Sequence, residues 1–258
     1  MPEGLEAEIW RRALSTLTGR RIVGAWVDER VAPPELPDVV VEERLDEVVR
    51  VGKVVVLETS GPRIGLHFGM TGRVEVDGWA PIEQLAYASG LDRPEWDRLR
   101  IETSPGSPGV PAVRFNDPRR LGRISLDPDL SALGPDALTL RTDDLRRAFA
   151  GRRAPVKAML LDQSVVAGLG NLCADEVLWW AGIDPRRPAG SLAPGEVRTL
   201  AAVARRRLAV MLRRGGSTVG ELSPEARANR PPCGRDGGEL RRDRVAGRTT
   251  IWCPAHQT

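Results

Sequence analysis

Three observations predict an α+β protein. Residues 21 to 126 contain segments rich in Val, Ile and Arg with turn signals between them, which suits a β-sandwich. From about Ser131 the apolar spacing changes to that of helices. Residues 233 to 258 are too short and polar for a core of their own, yet they carry two close pairs of metal-ligating residues, the pattern of a stapled β-hairpin. The boundaries that follow are 1–128 for an N-terminal sandwich with its N-terminal helix, 129–228 for a helical domain and 229–258 for the hairpin. A chain of 258 residues, 41% hydrophobic and 28% charged, can supply cores for such parts. No apolar run reaches the ~18 residues of a membrane span. With no signal peptide before the first helix, the expectation is a cytoplasmic protein without a membrane partner.

In chain order, residues 3–18 are predicted helical. Leu5, Ile9, Ala13 and Leu17 fall on one face, acids occupy the first turn, and Gly19 supplies a stop. Pro2 then falls at N1. Strand-like segments follow at 21–30, 37–58, 62–78 and 110–126, broken by GPR, DGW and NDP. The stretch 79–109 reads as a partly helical insertion or a long loop. Farther on, SLAPGEVRTLAAVARRRLAVMLRRGG has Ser191 as a cap, an apolar stripe of Val197, Leu200, Ala204, Leu208 and Met211, and Gly215 as its stop. Residues 219–232 read as a loop.

Net charge is +3, unevenly spread. From Arg186 onward 15 Arg face 6 acids, a balance of +9 that leaves −6 for residues 1–185. A basic C-terminal third suits a polyanionic partner, or simply an Arg-rich solvated surface. Only two of the 38 basic residues are lysines, Lys53 and Lys157. Since a compact ammonium and a guanidinium are not equivalent, both positions are candidates for a specific role.

Four stretches carry candidate chemistry. The first is the start, MPEGLEAE. Removal of Met1 would leave Pro2 with a secondary amine, and an α-amino group titrates near ~8, against about 10.4 for lysine. Such an amine is a nucleophile for a carbonyl carbon, although Pro equally suits a first helical turn. The second is Asp162–Pro185, where a helix ends near Gln163, a Gly-bearing turn follows and Asn171 opens another helix. Its N–H groups form a ready phosphate site with Lys157 nearby, or a plain Gly-rich cap. The third, RFNDPRRLGR (114–123), is a strand and tight turn whose arginines could reach a duplex, or a charged hairpin. In the tail, Cys233-Gly-Arg-Asp236 and Cys253-Pro-Ala-His256 flank a hairpin with the spacing of a tetrahedral zinc ribbon, or pack without metal. Arg248 falls at the hairpin tip.

Taken in order, the Pro2-Glu3 start with Glu6 and Glu8, VGKVVVLE, GLHFGMTGR, FNDPRRLG, GLGN, GGST and GRTTIWCPAHQ resemble the formamidopyrimidine-DNA glycosylase and endonuclease VIII family nearly end to end. The resemblance implies a helix-two-turn-helix in the helical domain, a zinc-finger hairpin, damaged double-stranded DNA as partner, and a monomer associated with the nucleoid. It implies that Pro2 attacks C1′ of a flipped nucleotide lodged in a cleft between the sandwich and the helical domain. A Schiff base forms, and β,δ-elimination follows. Glu3 would be the general acid and proton shuttle, with Glu6 shaping the proton-transfer site. Lys53, Asn171 and Arg248 would grip phosphates. Met70, Arg119 or Arg120, and Leu121 would fill the gap in the stack. Cys233, Asp236, Cys253 and His256 would hold one structural zinc. His67, Cys173 and Glu176 are left as packing or surface residues.

The chain also departs from the family pattern. Gly4-Leu5 replaces Leu-Pro, loosening the turn after the nucleophile, and Leu121 stands where an aromatic wedge is usual. Only about 15 residues separate Thr218 from Cys233, too few for a long loop that caps 8-oxoguanine. That tilts the expectation towards oxidised pyrimidines, abasic sites or a bulkier adduct. Two rivals are a non-cleaving DNA-damage-binding protein on the same fold and a zinc-ribbon regulator. The second leaves Pro2, Glu3 and Lys53 without purpose.

Overall fold

A computed structural model describes residues 2–83, 85, 93–106 and 109–258. Its contacts divide the chain into two compact units, Met1–Pro2 with Glu6–Ser131, and Glu3–Leu5 with Ala132–Thr258.

The first unit is a sandwich of two four-stranded antiparallel sheets. Helix α1 (Gly4–Leu14) leads into it and ends in a 3-10 turn, Ser15–Leu17. Because α1 starts at Gly4, Pro2 lies ahead of the helix rather than at N1. The buried stripe is Ala7, Trp10, Ala13, Leu14 and Leu17, while Ile9 is half-buried. The remaining elements are β1 (Arg21–Val27), α2 (Leu36–Val40), β2 (Leu45–Val51), β3 (Val54–Thr59), β4 (Ile64–His67), β5 (Arg73–Val76), β6 (Asp97–Ser104), β7 (Val113–Asn116) and β8 (Arg123–Leu126). One sheet runs β1-β6-β7-β5 and the other β2-β3-β4-β8. Side chains from both sheets and from α1 meet in one core. Trp10 packs on Phe68 with ring centroids 4.1 Å apart, and Phe68 on Phe115 at 5.5 Å. Each such side chain contributes about 1.5–3 kcal/mol by leaving water.

Two expectations change here. Residues 37–40 belong to the short helix α2, where Pro37 near the first turn and Leu36 and Val40 facing inward favour a helical turn over a strand. Within 79–109, residues 97–104 form a central strand. Its DRLRIETS sequence hides the alternation, because buried Asp97 and Arg98 interrupt the apolar side chains. Part of that stretch, Gln84, residues 86–92 and 107–108, lies outside the described residues.

The second unit contains α3 (Thr142–Phe149), α4 (Val156–Leu161), α5 (Asn171–Ala181), α6 (Pro194–Arg214), α7 (Pro224–Asn229) and the hairpin β9 (Arg241–Val245) and β10 (Arg248–Trp252). The stripe Val197, Leu200, Ala204, Leu208 and Met211 is buried as expected, and Gly215 ends α6 at φ 114°. The N-cap is Ala193, not Ser191, and the Glu196 carboxylate accepts the Ala193 N–H at 2.7 Å. Residues expected as loop hold α7, capped by Ser223. A small satellite core of Trp179, Leu222, Cys233, Leu240, Ile251 and Cys253 seats the hairpin. No helix among the described residues is long and apolar enough to cross a membrane.

Candidate active site

Position α5 leaves its first N–H groups without intrahelical partners, and these are taken by Glu3. The Glu3 carboxylate accepts Gly170 N–H at 2.7 Å, Leu172 N–H at 2.8 Å and Cys173 N–H at 3.2 Å. Its side chain is buried. The helix end read as a phosphate site is thus filled by the protein's own carboxylate, since an N-terminus attracts whichever anion can reach it. Gly170 is needed there, because a Cβ would stand 2.4 Å from Glu3 Cδ. Gly4 also earns its place through contact rather than looseness. Its N–H donates to the Gly168 carbonyl at 2.8 Å, and a Cβ would lie 3.0 Å from Gly168 Cα. Pro2 is buried and directly precedes this anchor. Glu6, in the first turn of α1, is buried too.

Lys157 overturns an expectation. Its side chain is fully buried, with Nζ 2.7 Å from Asp175 Oδ1. It donates to the Thr249 carbonyl at 3.0 Å and the Thr250 hydroxyl at 2.8 Å. Burial draws its pKa below the ordinary lysine value, against the pull of Asp175. An ammonium so enclosed is no surface cation for DNA, and it braces the hairpin instead. The other oxygen of Asp175 accepts Arg227 Nη2 at 2.6 Å and Ile251 N–H at 3.1 Å. Asn171 donates through Nδ2 to the same Thr249 carbonyl at 2.9 Å. Just beyond, Ala246 and Gly247 turn the hairpin at φ 49° and 72°, and exposed Arg248 opens β10. Its guanidinium meets no carboxylate among the described residues.

In the first unit Lys53 occupies the two-residue turn between β2 and β3, beside Gly52 at φ 59°, rather than a strand. His67, read as a packing or surface residue, ends β4. Part of the residue faces solvent, and Nδ1 accepts the Gly69 N–H at 3.3 Å. Desolvation of the ring, then the nearby Lys53 charge, lowers its pKa. Met70 and Leu121 are exposed, as is Arg119, whereas Arg120 is held by Asp28 at 2.7 Å. Glu176 is buried and accepts Trp180 Nε1 at 2.8 Å and Leu222 N–H at 2.9 Å, a packing role as expected.

Cys233, Asp236, Cys253 and His256 offer one ligand atom each, all within 4.8 Å of one another, so the cluster can hold a metal ion. Cys253 Sγ is 3.4 Å from Asp236 and Cys233 Sγ is 3.6 Å from His256 Nδ1. A tetrahedron with bonds of about 2.0–2.3 Å has edges of about 3.3–3.8 Å, which these two spacings match, whereas His256 Nδ1 and Asp236 Oδ2 stand closer, at 2.6 Å, as a hydrogen-bonded pair. His256 Nε2 lies 3.1 Å from the Trp179 carbonyl. Donation from Nε2 to that carbonyl would leave the Nδ1 lone pair to face a bound metal.

Residues 1–124 match the formamidopyrimidine-DNA glycosylase N-terminal domain, and residues 133–223 match the formamidopyrimidine-DNA glycosylase H2TH domain. The chain is 33% identical to a formamidopyrimidine-DNA glycosylase of Alkalilimnicola ehrlichii and 35% to one of Xanthomonas oryzae pv. oryzae, with 100% of each chain covered in both. The chain belongs to the formamidopyrimidine-DNA glycosylase family. Members of this family are DNA-repair glycosylases that also act as lyases at abasic sites. The fold agrees with that of a MutM solved in complex with DNA containing carbocyclic 8-oxo-G, at a TM-score of 0.83 and 25% identity over 100% of both chains. A Lactococcus lactis FPG mutant in complex with Fapy-dG DNA gives 0.82 at 24% identity, again over 100% of both chains. GLGN lies within the residues that match the H2TH domain, at the start of α5, and supplies part of the seat of Glu3.

Proposed function

We propose that the protein excises a damaged base from double-stranded DNA and then cleaves the strand, using Pro2 as nucleophile. The observation that carries this reading is the anchoring of Glu3. Chain termini are ordinarily loose. Here three N–H groups and the Gly4–Gly168 contact hold the residue after Pro2, which fixes where a Pro2 amine can point. Preorganising a nucleophile in this way removes entropy from the barrier.

In the proposed reaction the secondary amine of processed Pro2 bonds to C1′ while the bond to the base breaks. The base leaves with the electron pair and takes up a proton. Ring opening gives an iminium. Loss of a 2′ proton expels the 3′ phosphate, and a second elimination expels the 5′ phosphate. Glu3 delivers and removes protons at the sugar, and Glu6 supports it. Lys53, Asn171 and Arg248 grip phosphates, while Met70, Arg119 and Leu121 fill the stack. The Cys233, Asp236, Cys253 and His256 cluster holds one structural zinc, which cross-links the hairpin strands and steadies Arg248.

Lesion choice follows the segment between Thr218 and Cys233. Arg227 ties it to Asp175, and Glu176 ties it through Leu222, so it is packed down rather than extended over a base. This supports oxidised pyrimidines, abasic sites or bulkier adducts over 8-oxoguanine. Borohydride with an abasic duplex is expected to trap a covalent adduct that is lost in Pro2→Gly and in protein retaining Met1. Absence of an adduct from processed protein would refute the mechanism and leave the non-cleaving binder as the reading.

A further inference from the structure

The turn after β7 is braced in a selective way. Asp117 is fully buried, and its carboxylate accepts Gly122 N–H at 2.6 Å, Arg119 N–H at 3.3 Å and the Thr71 hydroxyl. Thr71 follows Met70, so one carboxylate fastens the Met70 turn to the turn bearing Arg119 and Leu121. The two turns touch at Gly69, where a Cβ would lie 2.2 Å from the Leu121 carbonyl oxygen. Behind them, buried Arg98 donates through Nε to the Asp117 carbonyl at 2.9 Å and through Nη1 to Asp28 Oδ2 at 3.0 Å. That same Asp28 oxygen accepts Arg120 Nε at 2.7 Å. Arg120 has φ 52°, a left-handed conformation that an L residue adopts only when its surroundings impose it. Its side chain is drawn back onto the protein. Arg119 is left outward, and its guanidinium meets no carboxylate among the described residues.

We propose that Asp28 is a positioning residue for nucleotide extrusion. By latching Arg120 it keeps the turn left-handed and presents Arg119, with Leu121 and Met70, as the group that enters the gap in the stack. This rests on the reading of the protein as an enzyme acting on a flipped nucleotide in duplex DNA. Of the two adjacent arginines, Arg119 is the one that inserts, and Arg120 is the one that holds. The latch matters because ordering a loop during extrusion costs entropy that a preformed turn has already met. A single strand has no stack to fill, so the latch has nothing to contribute there.

The test compares cleavage of one abasic oligonucleotide as duplex and as single strand by the full chain. Asp28→Asn keeps the shape and removes the charge, and Arg120→Gln removes the other half of the ion pair. Each is expected to lose roughly tenfold in duplex turnover while single-strand cleavage stays within about twofold. The double variant is expected to be no worse than Asp28→Asn alone, because Asp28 also pairs with Arg98 whereas Arg120 acts here through Asp28. Equal losses on both substrates, or an undiminished duplex rate in both variants, would overturn the proposal while leaving the enzymatic reading intact. A processed wild type inactive on both substrates would overturn the enzymatic reading itself, and the latch with it.

Discussion

At the scale of single residues, burial decides between roles that a sequence leaves open. Lys157 is one of two lysines in an arginine-rich chain, which made it a candidate for DNA, yet its ammonium is spent on Asp175 and the hairpin. Removing one partner of a buried ion pair costs about 3–5 kcal/mol. Lys157→Met is therefore expected to lower the thermal midpoint sharply. An unchanged midpoint accompanied by weaker DNA binding would return Lys157 to the interface. Glu8 makes a second test. Burial raises its pKa, but Arg11, Arg12 and Arg50 outweigh this and bring it down to about 2 from 4.5. A carboxyl depressed on folding stabilises above its unfolded pKa, and the contribution fades as pH falls through the folded one. The gap in midpoint between wild type and Glu8→Gln is thus expected to be full at neutral pH and to shrink between about pH 4.5 and pH 2. A gap that stays constant over that window would assign it to packing.

At the scale of elements, the first turn of α5 is the feature that joins fold to chemistry. The GLGN motif marks a helix N-terminus but does not fix which anion takes it. The glycine between Glu3 and the helix settles the spacing. Gly170→Ala is expected to displace the carboxylate and cut borohydride trapping by roughly a hundredfold, with a much smaller change in thermal midpoint. Full trapping in that variant would mean that Glu3 can act from elsewhere. Elements were otherwise legible where period and capping agreed, as in α6. They were not where charged side chains go inward. In β6, Asp97 is buried among Arg100 of the same strand and Arg114 and Asn116 of the neighbouring β7. No local pattern announces a strand whose polar residues are satisfied by its neighbours.

For the molecule as a whole, charge and the candidate metal cluster give the measurable tests. With its basic C-terminal third, the protein is expected to bind DNA with a steep salt dependence, of slope about 0.9 per phosphate neutralised. Arg248→Ala is expected to reduce that slope by about one. No change in slope would remove Arg248 from the phosphate set. Native mass spectrometry is expected to find one zinc per chain. Its removal should expose the hairpin to proteolysis before the rest of the chain, because the satellite core beneath it is small. A protein without zinc and with an equally resistant hairpin would assign the staple to packing alone.

By itself the sequence determined the α+β order, the apolar stripe of α6, the family and the four residues that gather into a cluster able to hold a metal ion. These depend on residue type and short spacing, which a linear reading preserves. Tertiary structure alone decided that Glu3 rather than a phosphate occupies α5, that Lys157 is enclosed, and that Arg120 is held while Arg119 is not. Each of those outcomes depends on a partner tens of residues away or more, and on which of two similar charges loses its water when the chain closes.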